Sequence, residues 1–289
     1  GMVLGFGLGI PLGIALYLFA EPIVRALGTS AEATPYAVDY LRVIAVAVPA
    51  VLGVLAGVGV LRGLQDTRTT LVVSIAQVVV NLVLCLLLIL VIGMGIVGSA
   101  LATASAELLG FVVYGLILVR RARRENVALR PSGAGVLRSA RDGVPLFVRT
   151  LALRAVFLIA AAVAARLGTA DLAAYHVTST LFFTLALALD ALAIAGQALL
   201  GKSLGAADVD ESRAITRRLV WWSVGLGAFL SAIVLVLRPW LPEWFSDDTA
   251  VVSLMAAALL VLAAIQPLAG VVFALDGVLI GAGDTRWLA

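Results

Sequence analysis

The chain has 289 residues, of which 63% are hydrophobic and only 13% charged, against roughly 25% charged in a soluble domain. Residues 69–106 contain no Asp, Glu, Lys, Arg or His, far more than the roughly 20 residues that cross a bilayer. A soluble enzyme, a nucleic-acid module and a disordered chain are excluded, and the net charge of +3 reads as membrane topology, because its cations gather between apolar runs.

Eight apolar spans follow in chain order, at about 1–20, 39–61, 70–92, 96–119, 144–165, 172–200, 219–237 and 250–280. Each must satisfy its own backbone in lipid, so each is expected to be a helix. The first is not a signal peptide, since it lacks a basic start and a small-residue cleavage site. The second carries Pro49 midway and ends in GVLRGLQDTR (59–68). Asn81 and the lone cysteine, Cys85, lie in the third span, which excludes a disulfide within the chain. Thr103 and Glu107 lie in the fourth. The stretch 120–143 is the one long polar connection and is rich in arginine. Beyond it come Arg149 and Arg154 in the fifth span, His176 near the outer end of the sixth and Asp190 at its middle. An acidic, Trp-bearing loop (238–248) precedes the eighth span, which carries Pro267 and Asp276 and ends in GVLIGAGDTR (277–286).

Alternating the connections puts 14 of the 20 basic residues on one side, among them Arg62, Arg68, Lys202, Arg217 and Arg218. Arg25, Arg42, Arg166 and Arg238 fall on the other. The positive-inside rule makes the first side cytoplasmic. The fold class is therefore all-α, a polytopic membrane helix bundle.

GVLRGLQDTR and GVLIGAGDTR agree at seven of ten positions with an offset of 218, and Pro49 and Pro267 share that offset. A duplicated architecture follows: two pseudo-symmetric lobes of the same orientation, each with a proline-bearing helix at the corresponding place. Projecting the offset outward implies about 70 residues, two spans, before Gly1 and about 48 after Ala289. On this reading the chain is an internal fragment of a twelve-span protein with six helices per lobe. Residues 1–119 form one lobe, 120–143 the cytoplasmic linker and 144–289 the other.

Polar residues in mid-membrane are costly and so are functional candidates. Asp190, Asp276 and Glu107 are the acidic ones. Burial disfavours the charged form of a carboxylate, which is the property a proton carrier needs, although an ion pair with Arg149 or Arg154 would serve structure alone. Asn81 and Thr103, like Gln77, Gln197 and Gln266, read first as hydrogen bonds between helices. No metal cluster, phosphate-binding loop or nucleophile motif is present, so no enzyme chemistry, cofactor or nucleic-acid partner is expected.

Several segments then carry a resemblance: LRGLQDTRTTL (61–71), VVVNLVLCLLLI (78–89), GIVGSALATASAE (95–107), LDALAIAGQALLGKSLGAAD (189–208) and QPLAGVVFALDGVLIGAGDTR (266–286). Together they resemble the multidrug and toxic compound extrusion (MATE) family, in particular its DinF-like branch, over nearly the whole chain. The resemblance implies a monomeric multi-pass transporter of the cell (inner) membrane. It would expel cationic or amphipathic compounds by alternating access in exchange for H⁺ or Na⁺. Residues 1–119 would be the family's third to sixth helices and 144–289 its seventh to tenth. Asn81 and Thr103 match the family's polar positions on the fifth and sixth helices, while Cys85 stands where many members have an acidic residue. That departure shifts weight to Asp190 and Asp276 as ion-coupling residues, with Pro49 and Pro267 as hinges. A flippase for lipid-linked oligosaccharide or peptidoglycan precursors is the alternative, and it would need Arg149 and Arg154 to hold a pyrophosphate.

Overall fold

A computed structural model describes residues 2–26, 29–126, 133–284 and 287, leaving aside the side chains at 134, 138, 139 and 142. Thr285 and Arg286 of the second repeat motif, and 127–132 of the linker, lie outside the described residues. The helices are α1 (Met2–Leu18), α2 (Ala20–Ala26), α3 (Thr34–Gly63), α4 (Thr67–Leu86), α5 (Gly95–Arg124), α6 (Gly133–Leu167), α7 (Thr169–Gly205), α8 (Val209–Leu237) and α9 (Thr249–Ala282). A π-helical turn, Leu87–Val91, prolongs α4, and a 3₁₀ turn, Pro242–Trp244, sits in the acidic loop. Seven helices are long and apolar enough to span a membrane, and the bent pair α1–α2 makes an eighth.

Two details depart from the sequence reading. The first span breaks by 66° between α1 and α2. Pro22 has no N–H for the Leu18 carbonyl and its ring crowds that oxygen, so the helix cannot continue straight. The polar 120–143 stretch is also partly helical, with α5 running to Arg124 and α6 starting at Gly133, because leaving the bilayer does not oblige a helix to end.

The chain divides into two compact units, Gly1–Ala140 and Arg141–Ala289. In the first unit α3 packs against α1 and α5, and α4 packs against α5. In the second, α9 packs against both α7 and α8. Small residues bring these helices together, as is common where no water drives association. A Cβ on Gly9 would stand 2.4 Å from the Pro49 Cα, and one on Gly227 2.4 Å from the Gln266 carbonyl oxygen.

Three arginine-side corners share one construction. Gln65 N–H donates to Arg62 O (2.9 Å) and Asp66 N–H to Leu61 O (2.9 Å). The same pair of bonds joins Ala207 and Asp208 to Leu204 and Ser203, and Gly283 and Asp284 to Ile280 and Leu279, all at 3.0 Å. This is the Schellman closure. It places Gln65, Ala207 and Gly283 in the left-handed region, at φ of 58°, 57° and 75°. Asp66 and Asp208 then cap α4 and α8, accepting from Thr69 N–H (3.1 Å) and Glu211 N–H (2.9 Å).

Candidate functional site

In the first unit the polar residues form a neutral seam. Spacings of four, three and four residues put Thr70, Ser74, Gln77 and Asn81 along one face of α4. The Tyr114 hydroxyl donates to Thr70 O and lies beside Ser74 Oγ, both at 3.3 Å. Gln77 Nε2 donates to Ala106 O at 3.3 Å. Gly110 makes room for that amide, since a Cβ there would be 2.0 Å from Gln77 Nε2. Asn81 Nδ2 donates to Thr103 Oγ1 at 3.2 Å, and the Thr103 hydroxyl donates onward to Ser99 O at 3.1 Å.

The structure therefore brings Asn81 and Thr103 together, with the hydroxyl's one proton already used. Glu107, one turn beyond Thr103, is not a rung of the seam; its Oε2 is buried without a hydrogen-bond partner among the described residues. Cys85, one turn beyond Asn81, is half-buried and free.

At its arginine-side end the seam closes on a charge. Asp66 Oδ2 accepts from Arg121 Nη1 at 3.0 Å, and Arg121 Nε donates to Glu125 at 3.4 Å. The bond from Thr69 N–H, helped by Arg121, holds the Asp66 carboxyl below the usual carboxylate value. A group depressed on folding stabilises above its unfolded pKa, and the contribution is lost as pH falls through the folded one. This corner thus weakens only in acid.

The second unit is built around charge. A Cβ on Gly277 would stand 2.5 Å from Ala193 O, and one on Gly281 2.8 Å from Gln197 O, so α7 and α9 run side by side at close approach. Asp276 precedes the first glycine and Asp190 lies less than one turn before Ala193. The close approach therefore brings the two carboxylates within electrostatic reach of each other. Arg149 of α6 completes the group, its Nη2 2.7 Å from Asp276 Oδ1. The guanidinium is 28% exposed and the carboxylate 18%. Arg149 is thus paired with Asp276, and Asp190 acts on Asp276 from α7. Arg154 is exposed and forms no ion pair among the described residues. α6 is tied to α7 separately, through the Tyr175 hydroxyl donating to Phe157 O (2.9 Å) and the Phe157–Phe183 rings (4.8 Å).

Both α3 and α9 run unbroken through their prolines. Each proline deprives the carbonyl four residues earlier, Ala45 O or Ala263 O, of its helical donor. Gly13 of α1 seats its backbone over Ala45 O, where a Cβ would come within 2.5 Å.

Beside Pro267 the structure departs from the sequence reading of Gln266 as a hydrogen bond between helices. Gln266 is 1% exposed, yet among the described residues neither its amide nitrogen nor its oxygen has a partner, and Ser223 Oγ in the same α8–α9 contact has none either. Both groups sit at the proline of a mid-membrane helix, and that adjacency is the signal that marks Gln266 apart from Gln77. No group of three or more His, Cys, Asp or Glu side chains stands together among the described residues.

Comparison with known proteins decides what this architecture is. The MatE family model matches residues 1–87 and 145–289. The chain belongs to the MatE family. Members of this family are multi-pass membrane transporters, not enzymes. Protein DETOXIFICATION 43 of Arabidopsis thaliana is 33% identical over 293 residues, covering 100% of this chain and 55% of its own length. DNA damage-inducible protein F of Escherichia coli is 28% identical over 289 residues, covering 95% of this chain and 62% of its own length. The chain thus spans little more than half of the curated relatives it matches. The fold is shared with the crystal structure of a mutant Vibrio cholerae MATE transporter, VcmN. That match has a TM-score of 0.90 at 20% identity, over 99% of this chain and 66% of the other.

Proposed function

We propose that this MatE chain contributes the central helices of a secondary antiporter of the cell membrane. It would expel cationic or amphipathic compounds by alternating access in exchange for H⁺ or Na⁺, and act as a monomer. One observation carries the coupling site: Arg149 paired to Asp276, with Asp190 nearby, inside otherwise apolar spans. With both carboxylates ionised the trio holds one surplus negative charge. A proton, a sodium ion or a cationic compound each removes that surplus, so they compete for it, and competition for one charge is the elementary form of exchange. Protonating Asp276 also frees Arg149 to turn to Asp190, moving the tie on α6 from α9 to α7. Coupling then requires that ion and compound favour different arrangements. Glu107 is a second, unpaired carboxyl for the same purpose, with Asn81 and Thr103 as neutral ligands. Pro49 and Pro267 mark the helices that move.

The flippase alternative is not favoured. Arg149, one of the two cations it needs, is engaged with Asp276, which leaves Arg154 alone for a pyrophosphate.

The test is flux in proteoliposomes containing the full-length transporter. A pH gradient is imposed, its collapse is followed on adding ethidium, and a sodium gradient replaces it in parallel. Drug-dependent proton flux that falls at least about tenfold, ~1.4 kcal/mol, in Asp190→Asn or Asp276→Asn is the expected result. Flux unchanged in both variants would remove the coupling site from the second unit, and no flux under either gradient would overturn the antiporter.

A further inference from the structure

Two columns of side chains descend the exposed face of α8 from its arginine-rich end. Arg217, Trp221 and Gly225 follow at spacings of four residues, and Arg218, Trp222 and Leu226 do the same one position over. Trp221 and Trp222 are 68% and 71% exposed. Both arginines are exposed and have no ion-pair partner among the described residues, whereas Arg213, one turn earlier, faces Asp210 at 3.8 Å. Beyond the indoles lies a groove of about 500 Å³, lined by Leu192 of α7 and by Trp221, Trp222, Gly225, Leu226 and Phe229. A Cβ on Gly225 would meet nothing within 4 Å, so the glycine leaves an open notch in the groove.

Helix packing does not require these indoles. The repeat offset of 218 maps Trp221, Trp222 and Gly225 onto Val3, Leu4 and Gly7 of α1. α1 pairs with α3 as α8 pairs with α9, and Gly7 is an equally open notch. The first unit builds the same contact with Val3 and Leu4 where the second has the two indoles. The aromatic pair is thus an addition to the scaffold.

We propose that this face of α7 and α8 binds an anionic phospholipid, with its phosphate between Arg217 and Arg218, its glycerol region at the two indoles and an acyl chain along the groove. The order of chemistry matches such a lipid from head to tail. Guanidinium groups hold phosphate in a planar, charge-assisted geometry, indoles favour the level of the headgroups, and the groove below them is apolar. Zwitterionic lipid would keep the last two contacts and lose the net charge attraction, so the site distinguishes lipids by charge.

Tryptophan quenching reads the site directly. In the full-length protein with every other tryptophan, Trp240, Trp244 and Trp287 included, replaced by phenylalanine, emission comes from Trp221 and Trp222. Vesicles of phosphatidylcholine are doped with a fixed fraction of either brominated phosphatidylglycerol or brominated phosphatidylcholine. The brominated anionic lipid is expected to be enriched at the indoles by about fivefold for each arginine, and so to quench more strongly. Arg217→Ala with Arg218→Ala should make the two lipids equal, while Arg217→Lys with Arg218→Lys should keep part of the preference. Equal quenching with both arginines present would overturn the proposal, and so would a preference that survives the double alanine variant. Circular dichroism and elution volume of each variant verify that it remains folded.

Discussion

Pro49 and Pro267 lie 218 residues apart, and the glycines packed on them, Gly9 and Gly227, lie 218 apart as well. One turn along the same helix pair, the small residue changes sides. Gly5 of α1 faces Leu52 in the first unit, whereas in the second the equivalent positions are Ser223 on α8 and Gly270 on α9. Close approach is what the two units share, and either helix can supply the missing side chain. On this common scaffold the polar groups diverge. The first unit joins neutral groups in a ladder, each donor to an acceptor, with Glu107 beside it. The second pairs an arginine with one aspartate and sets another aspartate within electrostatic reach of that one. A duplicated fold thus holds its backbone geometry while the chemistry it positions is free to change.

Removing the charge pair is the largest perturbation. Arg149→Ala or Asp276→Ala alone should destabilise the protein by a few kcal/mol. That lies at or below the ~3–5 kcal/mol for breaking a buried pair, because the partners retain 28% and 18% exposure. The double variant should recover part of the loss in thermal unfolding, since neither member of the pair is left without the other and only Asp190 keeps its charge. A double variant as unstable as the sum of the singles would show that the pair is not energetically coupled. In the neutral unit Thr103→Val should cost only about 0.6 kcal/mol, the usual scale of such bonds between membrane helices.

Glycine substitution separates the units by packing. Gly277→Ala drives a methyl to within 2.5 Å of Ala193 O and should cost about 1–3 kcal/mol. Its counterpart 218 residues earlier is Gly59, where a Cβ meets nothing within 4 Å. Gly59→Ala should be neutral or add up to ~1 kcal/mol through helix propensity. Equal losses at both positions, measured by thermal unfolding in detergent, would mean that the Gly59 face is covered in the folded protein.

Gln77, half-buried, and Gln266, buried, should respond in opposite directions. Gln77→Leu breaks a made bond and should lower stability by about 0.5–1.5 kcal/mol. Gln266→Leu removes two unpartnered atoms at similar volume and should raise it, by up to about 1–3 kcal/mol. If Gln266→Leu is stabilising but lowers transport, the amide is kept for the moving state rather than for folding. Denaturation midpoints and flux on the same preparations distinguish the cases.

The smallest effects lie at the corners. Gln65→Gly and Ala207→Gly each relieve a side chain held at φ near 58° and should stabilise by about 1 kcal/mol, while Gly283→Ala should cost about as much. Because the three corners share their hydrogen bonds, unequal shifts in unfolding midpoint would show that one of them is strained by its surroundings.

Much of this molecule is legible along the chain. Spans, helical state and the repeat follow from hydropathy and from the obligation of backbone groups in lipid to bond internally. The break after Leu18 was as readable as the spans, since Pro22 sits one helical turn later, but a continuous apolar run conceals it. Asn81 and Thr103 could be singled out as polar residues at matching depth. In the sequence only the adjacent Pro267 sets Gln266 apart from Gln77, and a neighbour's backbone decides whether either amide finds a partner.

Hydropathy, charge asymmetry and the 218-residue offset are local or periodic properties, so the chain alone carries the helices, their alternation and the duplicated plan. Which polar groups meet is different in kind. Arg149 and Asp276 are 127 positions apart, and Arg149 and Arg154 were equal candidates for the aspartates. Their pairing depends on the rotation and spacing of three helices. Contacts as narrow as Gly277 on Ala193 fix that spacing, and they exist only once the helices are packed.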